Sequence, residues 1–365
     1  MDRVKDLDLS VAIPVLADCE AENIYPTLAQ YSRQKEVDFS RFEILLFLND
    51  SGSEDKKSER EKTIKEIERF KDDNPELQVN WVYKKLSSEE QNIGSIRKIV
   101  LDLSLLRQIN SRKNKNGKQP IIISNDIDTP KLDSNYLQSY LGYHGLHSDT
   151  SIATQTHDLD HYKELKCPDL MAAGRFYQFV NFILRRNSNL VVTPGSDTSI
   201  KSSTYAQISQ FLDKMKRGED VFIGMLGAKL QGRESVVKII SKHPMIYFSS
   251  RRIIETHNRK LGLNEMFILD HGPNQKDVPC QSSIKQKESL ESFDSELFLE
   301  KVRQAIERMT LNYVARYPKL QLDSKIFAEG LKYVGLEGLF EGKKLIITES
   351  GLLVDAVKNL KYKKL

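Results

Sequence analysis

The stretch "SNDIDTP" (residues 124–130) sets two carboxylates, Asp126 and Asp128, one residue apart at the end of the apolar run "PIII". Along a strand, side chains i and i+2 leave on the same side, so a strand ending here sends both carboxylates in one direction. Held together they repel, which is unfavourable unless a cation or another positive group stands beside them. A hard divalent cation removes the repulsion and keeps coordination positions open for phosphate oxygens. The ordinary alternative is that the pair caps the next helix, as Asp often does. Spacing alone leaves both readings open.

The surrounding chain predicts the elements that would position these acids. "LSVAIPVL" (9–16), "FEILLFLND" (42–50), "LQVNWVYKK" (77–85) and "PIIIS" (120–124) read as strands. Between them lie "KKSEREKTIKEIERFKDD" (56–73), with Ile64, Ile67 and Phe70 on one side, and "NIGSIRKIVLDLSLLRQI" (92–109), entered through Gly94; both read as helices. Strands alternating with helices imply βαβ units and a mainly parallel sheet, in which ligands bind beyond the carboxyl ends of the strands. Asp18 and Glu20 follow the first strand, Asp50 ends the second, and Asp126 and Asp128 follow the fourth. Further on, a helix is expected at 167–187, and a strand, a glycine turn and a helix across "NLVVTPGSDTSIKSSTYAQISQFLDKM". A strand pair is expected in "SVVKIISKHPMIYFSS", and helices again from about residue 290.

Composition narrows the class. The 365 residues carry 55 basic against 51 acidic side chains, a net charge of +4 with no isolated basic stripe, which argues against nucleic-acid binding. Three well-separated cysteines, Cys19, Cys167 and Cys280, form no disulfide set and suit a reducing compartment. The N-terminal apolar run is short and broken by Pro14, unlike a signal peptide, and no segment approaches the roughly 20 apolar residues of a membrane span. A cytoplasmic protein is expected, with peripheral membrane contact left open by the basic tail "KNLKYKKL".

The order "VAIPVLADCEAENI", "EILLFLNDSGSED", "NIGSIRKIVLDL", "NDIDTPKLDSNYL", "PGSDTSIKSSTY" and "GEDVFIGMLGAKLQG" resembles glycosyltransferase family 2, nucleotide-sugar enzymes with the GT-A fold, over about residues 9–235. The resemblance implies a Rossmann-like α/β fold, a mixed, mainly parallel sheet flanked by helices, as a catalytic domain over 1–284; the helical extension expected at 285–365 lies beyond it. It implies that Pro14 and Val15 lie near the donor's base or ribose, and that Asp50 accepts a hydrogen bond from the base. Gly94 would admit the nucleotide close to the backbone, and Arg97 or Lys98 would face its phosphates. Asp126 would contact ribose or metal, and Asp128 would bind Mn²⁺ or Mg²⁺ bridging the diphosphate of a UDP- or GDP-linked sugar. Asp197, where the family has Asn, would border a hydroxyl acceptor together with Lys201 and Glu219. Asp220 would be the base.

Such an enzyme stabilises the departing diphosphate and takes a proton from the acceptor hydroxyl opposite the leaving group, which inverts the anomeric centre. His243 and His271 are the candidates for a third metal ligand, and sequence does not choose between them. Ala17, Asn49 and Asp197 depart from the family's pattern, which keeps open a non-catalytic scaffold of the same fold. A sugar nucleotidyltransferase is the other rival, but the loop "PVLADCEAEN" is acidic and has no glycine, unlike that class.

Overall fold

The computed structural model describes residues 7–50, 56–87, 90–111, 119–159, 193–212 and 219–248. They fall within one compact unit made of residues 1–160 and 192–249. The expected 285–365 extension, the helix expected at 167–187 and His271 lie outside the described residues.

Strands β1 (Leu9–Leu16), β2 (Phe42–Asn49), β3 (Gln78–Tyr83) and β4 (Ile121–Asn125) form where the apolar runs predict them. With β6 (Ile152–Thr154), β8 (Asp197–Lys201) and β9 (Val236–Lys238) they make a seven-stranded sheet in the order β3-β2-β1-β4-β8-β6-β9. β8 pairs antiparallel with both β4 and β6, and the other pairs in this sheet are parallel. A small second sheet joins β5 (Lys131–Leu132), β10 (Ile246–Phe248) and β7 (His157–Leu159). The fold is therefore mixed α/β with a mainly parallel sheet flanked by helices, as expected.

Alternation along the strands splits the core in two, because successive side chains point to opposite faces. Val11, Ile13 and Val15 of β1, with Ile44, Leu46 and Leu48 of β2, face α1 (Ala21–Tyr31), α2 (Lys57–Asp73) and α4 (Tyr136–Leu146). Ala12, Leu45, Phe47 and Ile122 face α3 (Ile93–Ser111), α5 (Ser202–Ile208) and α6 (Glu219–Gln231) on the other side. Burial on both faces explains why β2 is apolar nearly throughout instead of alternating.

Two expectations are corrected. The segment after Gly195 begins as strand β8, not helix, and α5 starts only at Ser202. Its polar residues pair with Ile121–Asn125 of β4, so ladder bonding and buried polar contacts replace the apolar pattern of a strand. The strands in "SVVKIISKHPMIYFSS" form, but not as a pair: β9 borders β6 in the large sheet and β10 joins the small one.

The topology fixes where a ligand can enter. The chain runs outward from β1 through β2 to β3, then crosses back to β4 on the other side of β1. The carboxyl ends of β1 and β4 thus flank a switch point, the usual crevice of open α/β sheets. β4 pairs with β1 only from Leu9 to Ala12, whereas β2 follows β1 to Leu16. Ala17 donates its N–H to Asn49 on the β2 side, so by alternation the nitrogen of Pro14 faces the unpaired β4 side. Proline is tolerated in this central strand because no ladder bond is needed there.

Candidate active site

β4 ends at Asn125, and Asp126 and Asp128 stand in the turn beyond it, both part-exposed, around a buried Ile127. The turn is held from two directions. The side-chain carbonyl of Asn125 accepts from the Asp126 N–H at 2.7 Å and from the Thr129 hydroxyl at 2.6 Å. From α1, Thr27 Oγ1 donates to the Ile127 carbonyl at 2.6 Å and Gln30 Nε2 to the Thr129 carbonyl at 3.1 Å. Bonds inside the turn and from a packed helix preorganise the two carboxylates. The helix-cap alternative does not apply to them: α4 begins at Tyr136, well past both.

Arg97, in the second turn of α3, supplies the positive charge. Asn92 Oδ1 accepts the Ser95 N–H at 2.9 Å and so caps the helix start, which sets the register that sends Arg97 inward. Its side chain is only 5% exposed, and Nη2 meets Asp126 Oδ1 at 3.0 Å. Nη1 donates to Ser124 Oγ at 3.0 Å and to the Gly195 carbonyl at 2.7 Å, while Ser124 Oγ donates to that same carbonyl at 2.5 Å. Gly195 is a hub: its own N–H donates to Asp220 Oδ2 at 3.0 Å, and Thr193 Oγ1 donates to the Asp220 carbonyl at the start of α6. A Cβ at Gly195 would lie 2.8 Å from Arg97 Cζ, so only glycine permits this approach. One guanidinium and one glycine thereby bring Arg97, Asp126 and Asp220 into a single bonded cluster.

The other expected residues fall elsewhere. Pro14 and Val15 are buried within β1, and Leu16, 36% exposed, is what the strand end offers to solvent. Asp50 is buried; its Oδ2 accepts from Tyr83 Oη at 2.5 Å and pairs with Arg60 Nε at 3.2 Å. The hydrogen bond to Asp50 holds the Tyr83 phenol above its ordinary pKa. Gly94 is buried in the first turn of α3, and Lys98 pairs along the helix with Asp102 at 2.5 Å. Glu219 opens α6. Asp197 is the correction: it does not face an acceptor but is a fully buried residue of β8. Its Oδ1 accepts from Tyr136 Oη at 2.9 Å and Tyr140 Oη at 2.6 Å, and its Oδ2 from the Gln155 N–H at 2.9 Å. Burial pushes its carboxyl upward against these bonds. Lys201 reaches the Ser148 carbonyl at 2.6 Å, and His243 is exposed.

Sequence reasoning passed over Asn125, Ser124, Thr27, Gln30 and Gly195 as working parts. Gly195 carried a signal in "PGSD", but the others are polar residues whose partners lie far along the chain, where local pattern is silent. Among the described residues no three His, Cys, Asp or Glu side chains converge as a metal cluster. The Asp126 and Asp128 carboxylates nevertheless fit a hard divalent cation by their chemistry as a two-oxygen donor set; Arg97 holds Oδ1 of Asp126, whose side chain is 34% exposed.

No protein-family model matches the chain, and no curated protein sequence matches it. Among solved structures it is similar to S. aureus TarS 1-349, at 12% identity over 93% of this chain and 94% of that one, with a TM-score of 0.42. The same TarS segment in complex with UDP aligns at 9% identity over 98% of this chain and 93% of that one, with a TM-score of 0.43. Glucosyl-3-phosphoglycerate synthase from Mycobacterium tuberculosis, in complex with Mn²⁺, UDP-glucose and phosphoglyceric acid, aligns at 13% identity over 79% and 86% of the two chains, with a TM-score of 0.35.

Proposed function

We propose that the chain is a GT-A glycosyltransferase similar to family 2 that moves a sugar from a nucleotide-diphosphate donor to a hydroxyl acceptor, with metal dependence and inversion by direct displacement. The observation that carries this reading is the Arg97–Gly195 cluster at the switch point, which ties a donor-side carboxylate, Asp126, to a second carboxylate, Asp220, on a separate helix. Donor stabilisation and proton removal need two such groups on opposite sides of one sugar. Asp126 and Asp128 would hold Mn²⁺ or Mg²⁺, which when bound acts as a Lewis acid on the diphosphate. Arg97 keeps Asp126 in place and adds positive charge beside the departing phosphates. Asp220, oriented by the Gly195 N–H, takes the acceptor proton.

The same reading takes residues 1–284 as the catalytic domain, 285–365 as a helical extension and the cytoplasm as the compartment. Among the described residues no helix is long and apolar enough to cross a membrane.

The test is the binding heat of UDP and of GDP to the purified protein, with and without Mn²⁺, beside Asp128→Ala. Metal-dependent binding of one nucleotide, lost in the variant, is expected, and product formation from that donor would then separate a transferase from a scaffold. If neither nucleotide binds, the non-catalytic scaffold takes the lead.

A further inference from the structure

Behind the turn that carries Asp126 and Asp128 lies a buried chain of side-chain bonds. Asn125 and Asp197 stand directly opposite each other on the antiparallel strands β4 and β8, both fully buried. Tyr136, also fully buried, reaches them from α4: Asn125 Nδ2 donates to Tyr136 Oη at 3.3 Å, and Tyr136 Oη donates to Asp197 Oδ1 at 2.9 Å. At its other end Asn125 accepts the Asp126 N–H and the Thr129 hydroxyl.

We propose that Asp197, acting through Tyr136 and Asn125, is a positioning residue for the Asp126–Asp128 turn. The direction of every bond in the chain follows from one end. Tyr136 gives its single proton to Asp197 Oδ1. Its oxygen is then left as an acceptor, which the NH₂ end of the Asn125 amide satisfies. That choice turns the carbonyl end of the amide toward the turn, where it meets two donors. With the amide reversed, an NH₂ group would face the Asp126 N–H, donor against donor. Tyr140 also donates to Asp197, at 2.6 Å, but no hydrogen bond joins it to Asn125, so it shares the burial of the network without being part of the relay.

This inference deepens the donor-site reading and rests on it for the purpose of the turn, though not for its geometry. The experiment compares Tyr136→Phe with Tyr140→Phe by amide hydrogen exchange over residues 125–130, and by the Mn²⁺ concentration that half-saturates UDP binding. Tyr136→Phe is expected to speed exchange at the Asp126 amide about fivefold, the loss of one ordinary hydrogen bond. It should also raise the Mn²⁺ requirement about tenfold, as outer-shell changes do, with turnover at saturating Mn²⁺ close to that of the unsubstituted protein. Tyr140→Phe should lower global stability without moving either readout. Equal behaviour of the two variants at the turn overturns the proposal. If no UDP binds but the exchange contrast appears, the relay stands and the donor reading falls. Should Tyr136→Phe fail to fold, Thr129→Val removes the hydroxyl that reaches both Asn125 Oδ1 and the Asp126 carbonyl, and unchanged exchange and Mn²⁺ requirement there would overturn the proposal.

Discussion

β2 and β8 are both fully buried strands of one sheet, yet β2 reads "FEILLFLN" and β8 reads "DTSIK". β2 is held by apolar area removed from water on both faces, with Glu43 as its one buried charge, paired to Arg107 at 2.7 Å. β8 is held by bonds that must all be made: Asp197 to two tyrosines and the Gln155 N–H, Thr198 to the Pro194 carbonyl, Ser199 to His144 and the Ala153 carbonyl, and Lys201 to the Ser148 carbonyl. Apolar burial is non-directional and tolerates small shifts, whereas a buried polar group left without its partner costs about 1–3 kcal/mol. The β8 side should therefore be the more sensitive to single-atom changes and to pH. The β1–β4 side should answer mainly to ligand.

The largest expected contrast is kinetic. Asp220→Asn, on the helix that Gly195 joins to β8, should lower turnover about 10²- to 10⁴-fold while leaving Mn²⁺-dependent nucleotide affinity nearly unchanged. Asp128→Ala should do the reverse to affinity. Steady-state rates beside calorimetry separate the two, and a loss of affinity in Asp220→Asn would move that residue to the donor side.

The next effect is on stability. His144, buried against β8 with Nε2 2.9 Å from Ser199 Oγ, has its pKa lowered from 6.5 to about 4, first by burial and then by the charge of Lys201. As pH falls from 6.5 toward 4 the unfolded chain takes up a proton that the folded one refuses, so stability is lost through that window, by up to about 3 kcal/mol. Glu43 works in the opposite sense, because burial raises its carboxyl. Comparing urea unfolding of the natural sequence and His144→Gln across pH 4–7 cancels that background. The variant should show the shallower acid loss, and identical slopes would remove His144 as the cause.

Gly195→Ala comes third. The added methyl meets Arg97 Cζ at 2.8 Å, so either the glycine loop or the guanidinium must move. Overpacking of this kind costs about 1–3 kcal/mol. Since Arg97 bonds Asp126, the same variant should weaken nucleotide binding, which Ser58→Ala on the exposed start of α2 would not do. Thermal unfolding together with calorimetry tests both arms.

These contrasts also mark what could be read from sequence. β1, β2 and β4 were legible because two-sided burial writes itself as continuous apolar runs, and the acids after β4 stood out against that background. Arg97 and Asp220 were legible only through the order of motifs. Their meeting at Gly195 was not, because it depends on a crossover that brings residues 97, 195 and 220 together. β8 reads as helix from sequence for a physical reason: a strand stabilised by side-chain hydrogen bonds carries no hydrophobic period. Asp197 reads as bordering an acceptor only through the resemblance, which puts it where the family has Asn, and nothing in the local pattern announces its burial. Here Tyr136, Tyr140 and Gln155 make its burial tolerable.

The smallest expected effect lies at the rim of the β1–β4 side. Tyr83 is 40% exposed and donates to Asp50 Oδ2, which Arg60 also holds. Removing the hydroxyl in Tyr83→Phe leaves Arg60 to balance the charge and leaves water close at hand, so the cost should be about 1 kcal/mol or less. A nucleobase taking Asp50 Oδ2 would have to compete with Tyr83 for that oxygen. If Asp50 does accept from the base, the variant should bind nucleotide as well as or better than the natural sequence, despite its lower stability. A weakening beyond about threefold, well under 1 kcal/mol, would instead mean that the Tyr83 hydroxyl itself contacts the donor, and Asp50 would then be its support.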